Sequence, residues 1–487
     1  MGDFIRHSYR YMTFFTLAFL PAFLLSCKLD RASQRHVDTA QAEQFVSVTD
    51  TCTLMPADST ADAYRNLKNT EVYTYYQARG FATNWIERPT PGVDAMIHVI
   101  RSARFYGLFP SEYHLGEIEA IRDVTNCESR QRLDALLTDA LFTLSSHIGN
   151  GRLKPIAVDS MLLKDEIRLI SRADIETYLA SREPRHEGYQ RLRSSLASIY
   201  DTLNSTDKNL LLAGITSDSI PAQSLIKKIE INLERWRWEE DPLGEDHVWV
   251  NIPAFEVVVL ENNNEILRSK AIVGSPRNRT PIFSSAIECF TVYPYWHVPR
   301  SIAVGQYLPA IQKDLSFIPL NNLDVLDRNG RILRYDTLPW NTYSQNHFPV
   351  FLRQREGTDN ALGVVKFQFD NPYSVLLHDT NAKRLFQYED RARSHGCIRM
   401  EKAIEFAYYL AENYTKYSAD QISRYLETKT MRRIDLNRPL PIHMRYFTAV
   451  CDGDLLKQYD DIYGHDKKLM SRFYQTVPVI AEKRVAE

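Results

Sequence analysis

A chain of 487 residues that is 44% hydrophobic and 11% aromatic can bury a core in more than one domain, which excludes wholesale disorder. Its 59 Lys plus Arg against 61 Asp plus Glu give a net charge of -2, so no global field favours nucleic acid, and none is expected as a partner. With 18 Gly, 22 Pro and no internal repeat of the ~20–50-residue kind, solenoids, propellers and collagen-like arrays are excluded too.

In chain order, Arg6 and Arg10 precede an uncharged run from Tyr11 to Leu25, shorter than the roughly 20 apolar residues that span a bilayer. A basic start and a short apolar run form a secretory signal. The run ends in Leu24-Leu25-Ser26-Cys27, which resembles the bacterial lipobox. That resemblance implies a signal peptide over residues 1–26 and a lipidated Cys27. Residues 28–62 are polar and turn-rich and read as a tether behind the lipid, so the expected location is a periplasm-facing membrane lipoprotein of the cell envelope. Setting Cys27 aside leaves Cys52, Cys127, Cys289, Cys397 and Cys451, an odd number without C-x-x-C spacing. Neither a disulfide framework nor a zinc site is indicated, and a Cys52–Cys127 pair stays open.

From residue 63 to about 240 apolar residues recur at helical spacing: Val72, Tyr75 and Tyr76; Ile97, Ile100 and Ala103; Leu133, Leu136, Leu137, Ala140, Leu141 and Leu144; Leu225, Ile229 and Leu233. This region reads as a helical scaffold, with Trp236 and Trp238 as core. At His247 the period changes to two, with Val248, Val250 and Ile252 leading a hairpin that turns at Asn262-Asn263-Asn264 and returns over Ile266 to Val273. Ile287 to Val292 and Ser374 to Leu377 are further strands, and Glu401 to Asn413 is an amphipathic helix. The long mixed stretch over 300–365, with a helix near Tyr307 to Lys313 and a turn at Asp327 to Gly330, reads as an inserted lid.

The chemistry centres on Ser394-His395-Gly396-Cys397. A thiol is only partly ionised at neutral pH, and an imidazole in reach can take its proton. Glycine lets a substrate approach the backbone, whose N–H groups can hold an oxyanion. A second imidazole, His378, ends the apolar run Val375-Leu376-Leu377. A zinc grouping of His378, His395 and Cys397 lacks a fourth ligand.

His378 followed, after fifteen residues, by Ser394-His395-Gly396-Cys397-Ile398-Arg399 resembles the signature of the L,D-transpeptidases, whose catalytic domain is of the YkuD type. Val250 to Phe255, Val273-Gly274, Thr280-Pro281, Pro294-Tyr295-Trp296, Asn360 to Gly363 and Lys366-Phe367 resemble the large, YcbB-like branch. Tyr75-Tyr76, Trp85, Gly107 to Pro110, Tyr113-His114 and Gly151-Arg152-Leu153 resemble its scaffold. The likeness runs from about residue 63 to Tyr463-Gly464. It departs in two places: between Pro155 and Trp236 that branch's peptidoglycan-binding module is not found, and Tyr293 stands where the family usually has Asn.

The resemblance implies an α+β fold, with a helical scaffold over 63–240, a mostly β catalytic domain over 247–435 holding the lid, and a C-terminal extension over 436–487. It makes Cys397 the nucleophile and His378 its base, with Asp379 orienting the imidazole through its carbonyl. Gly396 and Cys397 would supply oxyanion N–H groups, and His395, Ser394 and Arg399 would shape the site and contact the donor. Trp340 and Tyr343 are substrate-contact candidates from the lid, with lid core as the competing reading. The implied reaction joins a tetrapeptide donor stem of peptidoglycan to a diamino-acid acceptor through a Cys thioester, giving a 3-3 cross-link, with no cofactor and no metal. Two alternatives stay open: hydrolysis of the same acyl-enzyme by a carboxypeptidase or endopeptidase, and a catalytically silent envelope-anchored binding protein.

Overall fold

A computed structural model describes residues 63–475 apart from 65–66, 68, 87–90, 154–171, 213–221 and 240–242. The signal segment, Cys27 and the tether lie outside the described residues, as does Cys52. Cys127 is disulfide-bonded, whereas Cys289, Cys397 and Cys451 are free thiols.

The first half is helical, as the apolar spacing predicts. Helix α1 (Thr70–Ala78) presents Val72, Tyr75 and Tyr76 to the 24-residue helix α3 (Cys127–Asn150), with α2 (Pro91–Arg101) packed in the same cluster. The Tyr76 hydroxyl would be costly to bury alone. It donates to Asp134 Oδ2 at 2.5 Å and shares a 2.6 Å hydrogen bond with Thr138 Oγ1. Helices α4 (Arg172–Arg182) and α5 (Glu187–Thr202) follow.

Helix α6 (Gln223–Trp236) is buried on nearly every side, because it is the splice between the two halves. Ile226, Ile229, Leu233 and Trp236 pack with α5 and with Phe447 and Ala449, while Ile231 meets Phe109 and Phe473. Three of its buried polar residues bind the scaffold to the sheet, whereas the Gln223 amide has no partner among the described residues. Glu230 accepts from the fully buried Arg104, from Tyr200 at 3.2 Å and from Tyr474. Asn232 exchanges hydrogen bonds with Thr448 at 2.9 and 3.0 Å, and Arg235 pairs with Asp466 at 2.7 Å. Breaking such a buried pair typically costs about 3–5 kcal/mol, so these contacts fix how the scaffold meets the sheet. Trp236 is core, stacked on Trp249 with ring centroids 5.5 Å apart.

The second half is a mixed sheet closed on itself. Strands β1 (His247–Asn251), β2 (Glu256–Glu261), β3 (Asn264–Gly274) and β4 (Phe283–Val292) open it. The lid then supplies β5 (Trp296–His297), β6 (Leu323–Leu326), β7 (Ile332–Leu333) and β8 (Phe351–Gln354). The main sheet resumes with β9 (Val365–Phe369), β10 (Leu377–His378), β11 (Ala392–Ser394), β12 (Ile398–Met400) and β13 (Arg432–Arg445). Its order is β11-β3-β12-β10-β9-β4-β13-β1-β2, and the pairing of β2 with β3 closes it into a barrel. The inward residues form one core with the stripe Ala403, Phe406, Ala407, Leu410, Ala411 and Tyr414 of helix α7 (Ala403–Tyr414).

Three differences from the sequence reading have physical causes. Ser374 is not in a strand: it sits at φ +55°, after a turn in which Asn371 Oδ1 accepts the Tyr373 and Val375 N–H groups, and β10 begins only at Leu377. Strand β13 lies between β4 and β1, so the catalytic sheet continues past residue 435, where the extension was expected to begin. Pro439 and Pro441 disguise it; Pro439 falls where the pairing with β4 shifts register, between Asp435 and Leu440, which is where a strand tolerates such a residue, and Pro441 follows in register with Ala286. The lid begins at Trp296 rather than residue 300. It has a sheet of its own, ordered β5-β8-β6-β7, and a core of its own that includes Ile302, Leu308, Ile311, Val325, Trp340 and Leu352.

Candidate active site

Register places the chemical groups. In β10, Leu377 lies opposite Phe367 of β9 and Ile398 of β12, and His378 lies opposite Lys366 and Arg399. Directly opposed residues share a face, and neighbours along a strand alternate. Leu377, Phe367 and Ile398 are fully buried in the barrel core, so His378, Lys366 and Arg399 project from the other face. Cys397 enters β12 just before Ile398, whose N–H donates to Leu376 O at 3.0 Å. It is therefore the diagonal neighbour of His378 on the adjacent parallel strand, on the same face.

Both groups are held in their uncharged forms. Burial, and after it the Arg399 charge, push the His378 pKa down to about 3, against the carbonyls of Asp379 and Leu362, which favour the protonated ring. His378 Nδ1 is buried without a hydrogen-bond partner among the described residues. Burial pushes the Cys397 thiol up, opposed by the Leu376 N–H and by Arg399, and Sγ lies 3.9 Å from Ser374 O. Burial also lowers the Arg399 guanidinium, whose Nε has no partner among the described residues. The resting pair is thus a thiol beside a neutral imidazole with an open nitrogen.

The loop between β11 and β12 is held from both sides. Gly396 has φ +117°, a conformation that favours glycine. Its N–H donates to Ser394 Oγ at 3.1 Å, and Ser394 Oγ donates to Cys397 O at 2.6 Å. Thr280 Oγ1 donates to Gly396 O at 2.8 Å and accepts the Gly274 N–H at 2.9 Å, and Tyr463 Oη donates to Gly274 O at 2.5 Å. Thr280 and Tyr463 received no role in the sequence reading, because their partners are 116 and 189 residues away.

The other expected residues are spread more widely. The buried Asp379 carboxylate accepts the Val364 N–H at 3.0 Å and pairs with Lys383; a Cβ on Gly363, at φ +62°, would strike it. Its side chain braces the 362–364 loop and is not open to a ligand. The Ser394 hydroxyl is spent within the motif loop. His395 is exposed, and its Nε2 accepts from the Gln306 side-chain amide of the lid at 2.9 Å. Among the described residues no metal-ligating cluster forms, the zinc grouping of His378, His395 and Cys397 included. Trp340 and Tyr343 are buried in the lid core, edge-to-face with ring centroids 5.4 Å apart, and Trp340 Nε1 donates to Tyr335 O at 2.7 Å. Their rings and the indole N–H are used inside the lid, which favours the competing reading of both.

Comparison with known families matches residues 245–418 to the L,D-transpeptidase catalytic domain of YkuD type and residues 70–196 to a scaffold domain. The chain carries an L,D-transpeptidase catalytic domain of the YkuD type together with a scaffold domain, the YcbB-like architecture. A Haemophilus influenzae protein provisionally named an L,D-transpeptidase is 27% identical over 298 residues, 59% of this chain and 60% of that protein. The chain thus spans less than two thirds of that relative. A mutant Enterococcus faecium L,D-transpeptidase aligns over 42% of this chain and 50% of its own at 9% identity and TM-score 0.20. L,D-transpeptidase 1 of Mycobacterium tuberculosis aligns over 41% and 61% at 14% identity and TM-score 0.16.

In this L,D-transpeptidase domain the Thr280 hydroxyl is the buried link between the motif loop and β3. Thr280→Val leaves the Gly396 carbonyl and the Gly274 N–H without it, and is expected to destabilise the fold by about 1–3 kcal/mol. Urea unfolding of the variant checks this; an unchanged midpoint contradicts it.

Proposed function

We propose that the protein is a peptidoglycan L,D-transpeptidase acting through a Cys397 thioester and forming 3-3 cross-links. The observation that supports this most is the pairing of Cys397 with an unpartnered, neutral His378 on adjacent strands of the family's catalytic domain. As the sulfur attacks the carbonyl that precedes the terminal D-Ala of a donor stem, His378 takes the thiol proton. The tetrahedral oxyanion is met by the Cys397 N–H, since the Gly396 N–H is already given to Ser394. The C–N bond then breaks, the imidazolium gives its proton to the departing amine, and D-Ala leaves a thioester behind. The acceptor amine attacks the same carbon, His378 takes its proton, the C–S bond breaks and the sulfur is reprotonated. The lid, hydrogen-bonded to His395 through Gln306, limits water as the competing acceptor.

Intact-mass spectrometry after incubation with a stem tetrapeptide tests this. The expected result is an adduct equal to the tetrapeptide minus D-Ala, absent in Cys397→Ala and formed about 10²- to 10⁴-fold more slowly in His378→Ala. No adduct on the wild type contradicts the enzyme and favours the silent binding protein. Addition of an acceptor stem separates a cross-linked product from the free tripeptide of a hydrolase. Lipidation of Cys27, motivated by the lipobox-like Leu24 to Cys27, would tether the enzyme to the membrane. Cys27→Ala is expected to move the protein to the soluble fraction, and membrane retention of the variant contradicts the anchor.

A further inference from the structure

The face that carries His378 holds a straight row of side chains. Arg399, His378, Lys366, Thr291 and Arg433 are each directly opposite the next, across β12, β10, β9, β4 and β13. The adjoining row, Ile398, Leu377, Phe367, Phe290 and Ile434, is core throughout, so the first row projects outward as a unit. Two of its three permanent cations have local explanations: Arg399 stands beside Cys397, and Arg433 pairs with Asp435 at 2.8 Å. Lys366 has none. It is half-buried, with no hydrogen bond or carboxylate partner among the described residues, and the groups coupled to its charge are Cys289, the like-charged Arg433 and His297 of the lid. Burial lowers its pKa, as expected of an ammonium held without a counter-ion.

The order of the row assigns it a task, which rests on the reaction proposed above. Sulfur comes from β12 and the proton from His378 on β10, so the departing nitrogen lies against His378. In a terminal amino acid the carboxylate sits on the carbon bonded to that nitrogen, one step further from the sulfur. One strand further is β9, roughly 5 Å on, and there Lys366 carries an ammonium on a flexible four-carbon stem. Arg399 lies on the other side of the base, towards the acyl group. The attacking amine enters by the path along which the first one left, so it meets the same cation. We propose that Lys366 binds the carboxylate beside the departing and the attacking amine, and thereby selects acceptors whose amine carries a carboxylate on the neighbouring carbon over simple lysine-type side-chain amines.

The test begins with the acyl-enzyme preformed from a tetrapeptide donor and follows its single-turnover decay with D-alanine, D-alaninamide or isopropylamine as acceptor, resolving ligation from hydrolysis by mass. For the wild type, half-saturation by D-alanine is expected at a concentration about 10- to 100-fold below that of D-alaninamide, the gain of a hydrogen bond between charged groups. Lys366→Met is expected to erase that gap by weakening D-alanine alone, with little change in the maximal rate, and Lys366→Arg to keep most of it. Acylated wild type that does not distinguish acid from amide overturns the assignment, as does a Lys366→Met variant that still acylates and still distinguishes them. A wild type that never acylates overturns the transferase itself, a separate and earlier failure.

Discussion

Closure of the barrel is the constraint on which the rest of the structure depends. Once β2 pairs with β3, the register around the ring is fixed, and a slip by one residue in β10 would carry Leu377 to the surface and His378 into the core. The unbroken apolar row from Ile398 to Ile434 resists that slip, because Leu377 would lose its burial and leave Phe367 and Ile398 without the side chain between them. The adjoining polar row inherits its position from this one. Chemistry in this domain is therefore a by-product of core packing: the side chains that must stay dry place the imidazole, the thiol and the cations one strand apart.

The same packing sets their charge. His378 reaches the face from a buried strand, and removing water disfavours the protonated ring more than the two facing carbonyls favour it. Cys397 is desolvated in the same way, with one backbone N–H and Arg399 opposing. A base that is empty at rest and a nucleophile that is protonated at rest leave the proton transfer to the moment of attack. The supports are long-range: Thr280 and Tyr463 hold the motif loop, Asp379 braces the loop that brings the Leu362 carbonyl to the ring, and Gln306 ties the lid to His395.

The scaffold helices, the hairpin, the amphipathic helix near residue 403 and the residues of the motif were legible because each writes a local pattern: an apolar period, a turn triplet, a glycine between two reactive side chains. Strand β13 was not, because Pro439 and Pro441 remove two donors and read as loop, while the pairing that makes the segment a strand lies with β4 and β1, far away in sequence. The start of β10 was misread since Val375 and Leu376 continue an apolar run through what is geometrically a turn. Trp340 and Tyr343 show a different gap: an aromatic ring suits a peptide groove or a lid core equally well, and only packing decides. Lys366 stood out only within the family-like pair Lys366-Phe367, and its place in the row exists only through register.

The pH dependence of Cys397 alkylation by iodoacetamide, followed on the intact protein and localised by peptide mapping, tests the resting thiol and neutral imidazole most directly. The account predicts a rate that is low at neutral pH and still rising above about 8.5, the ordinary thiol value. A plateau already reached below about pH 7 that disappears in His378→Ala would reveal a standing thiolate–imidazolium pair and contradict it.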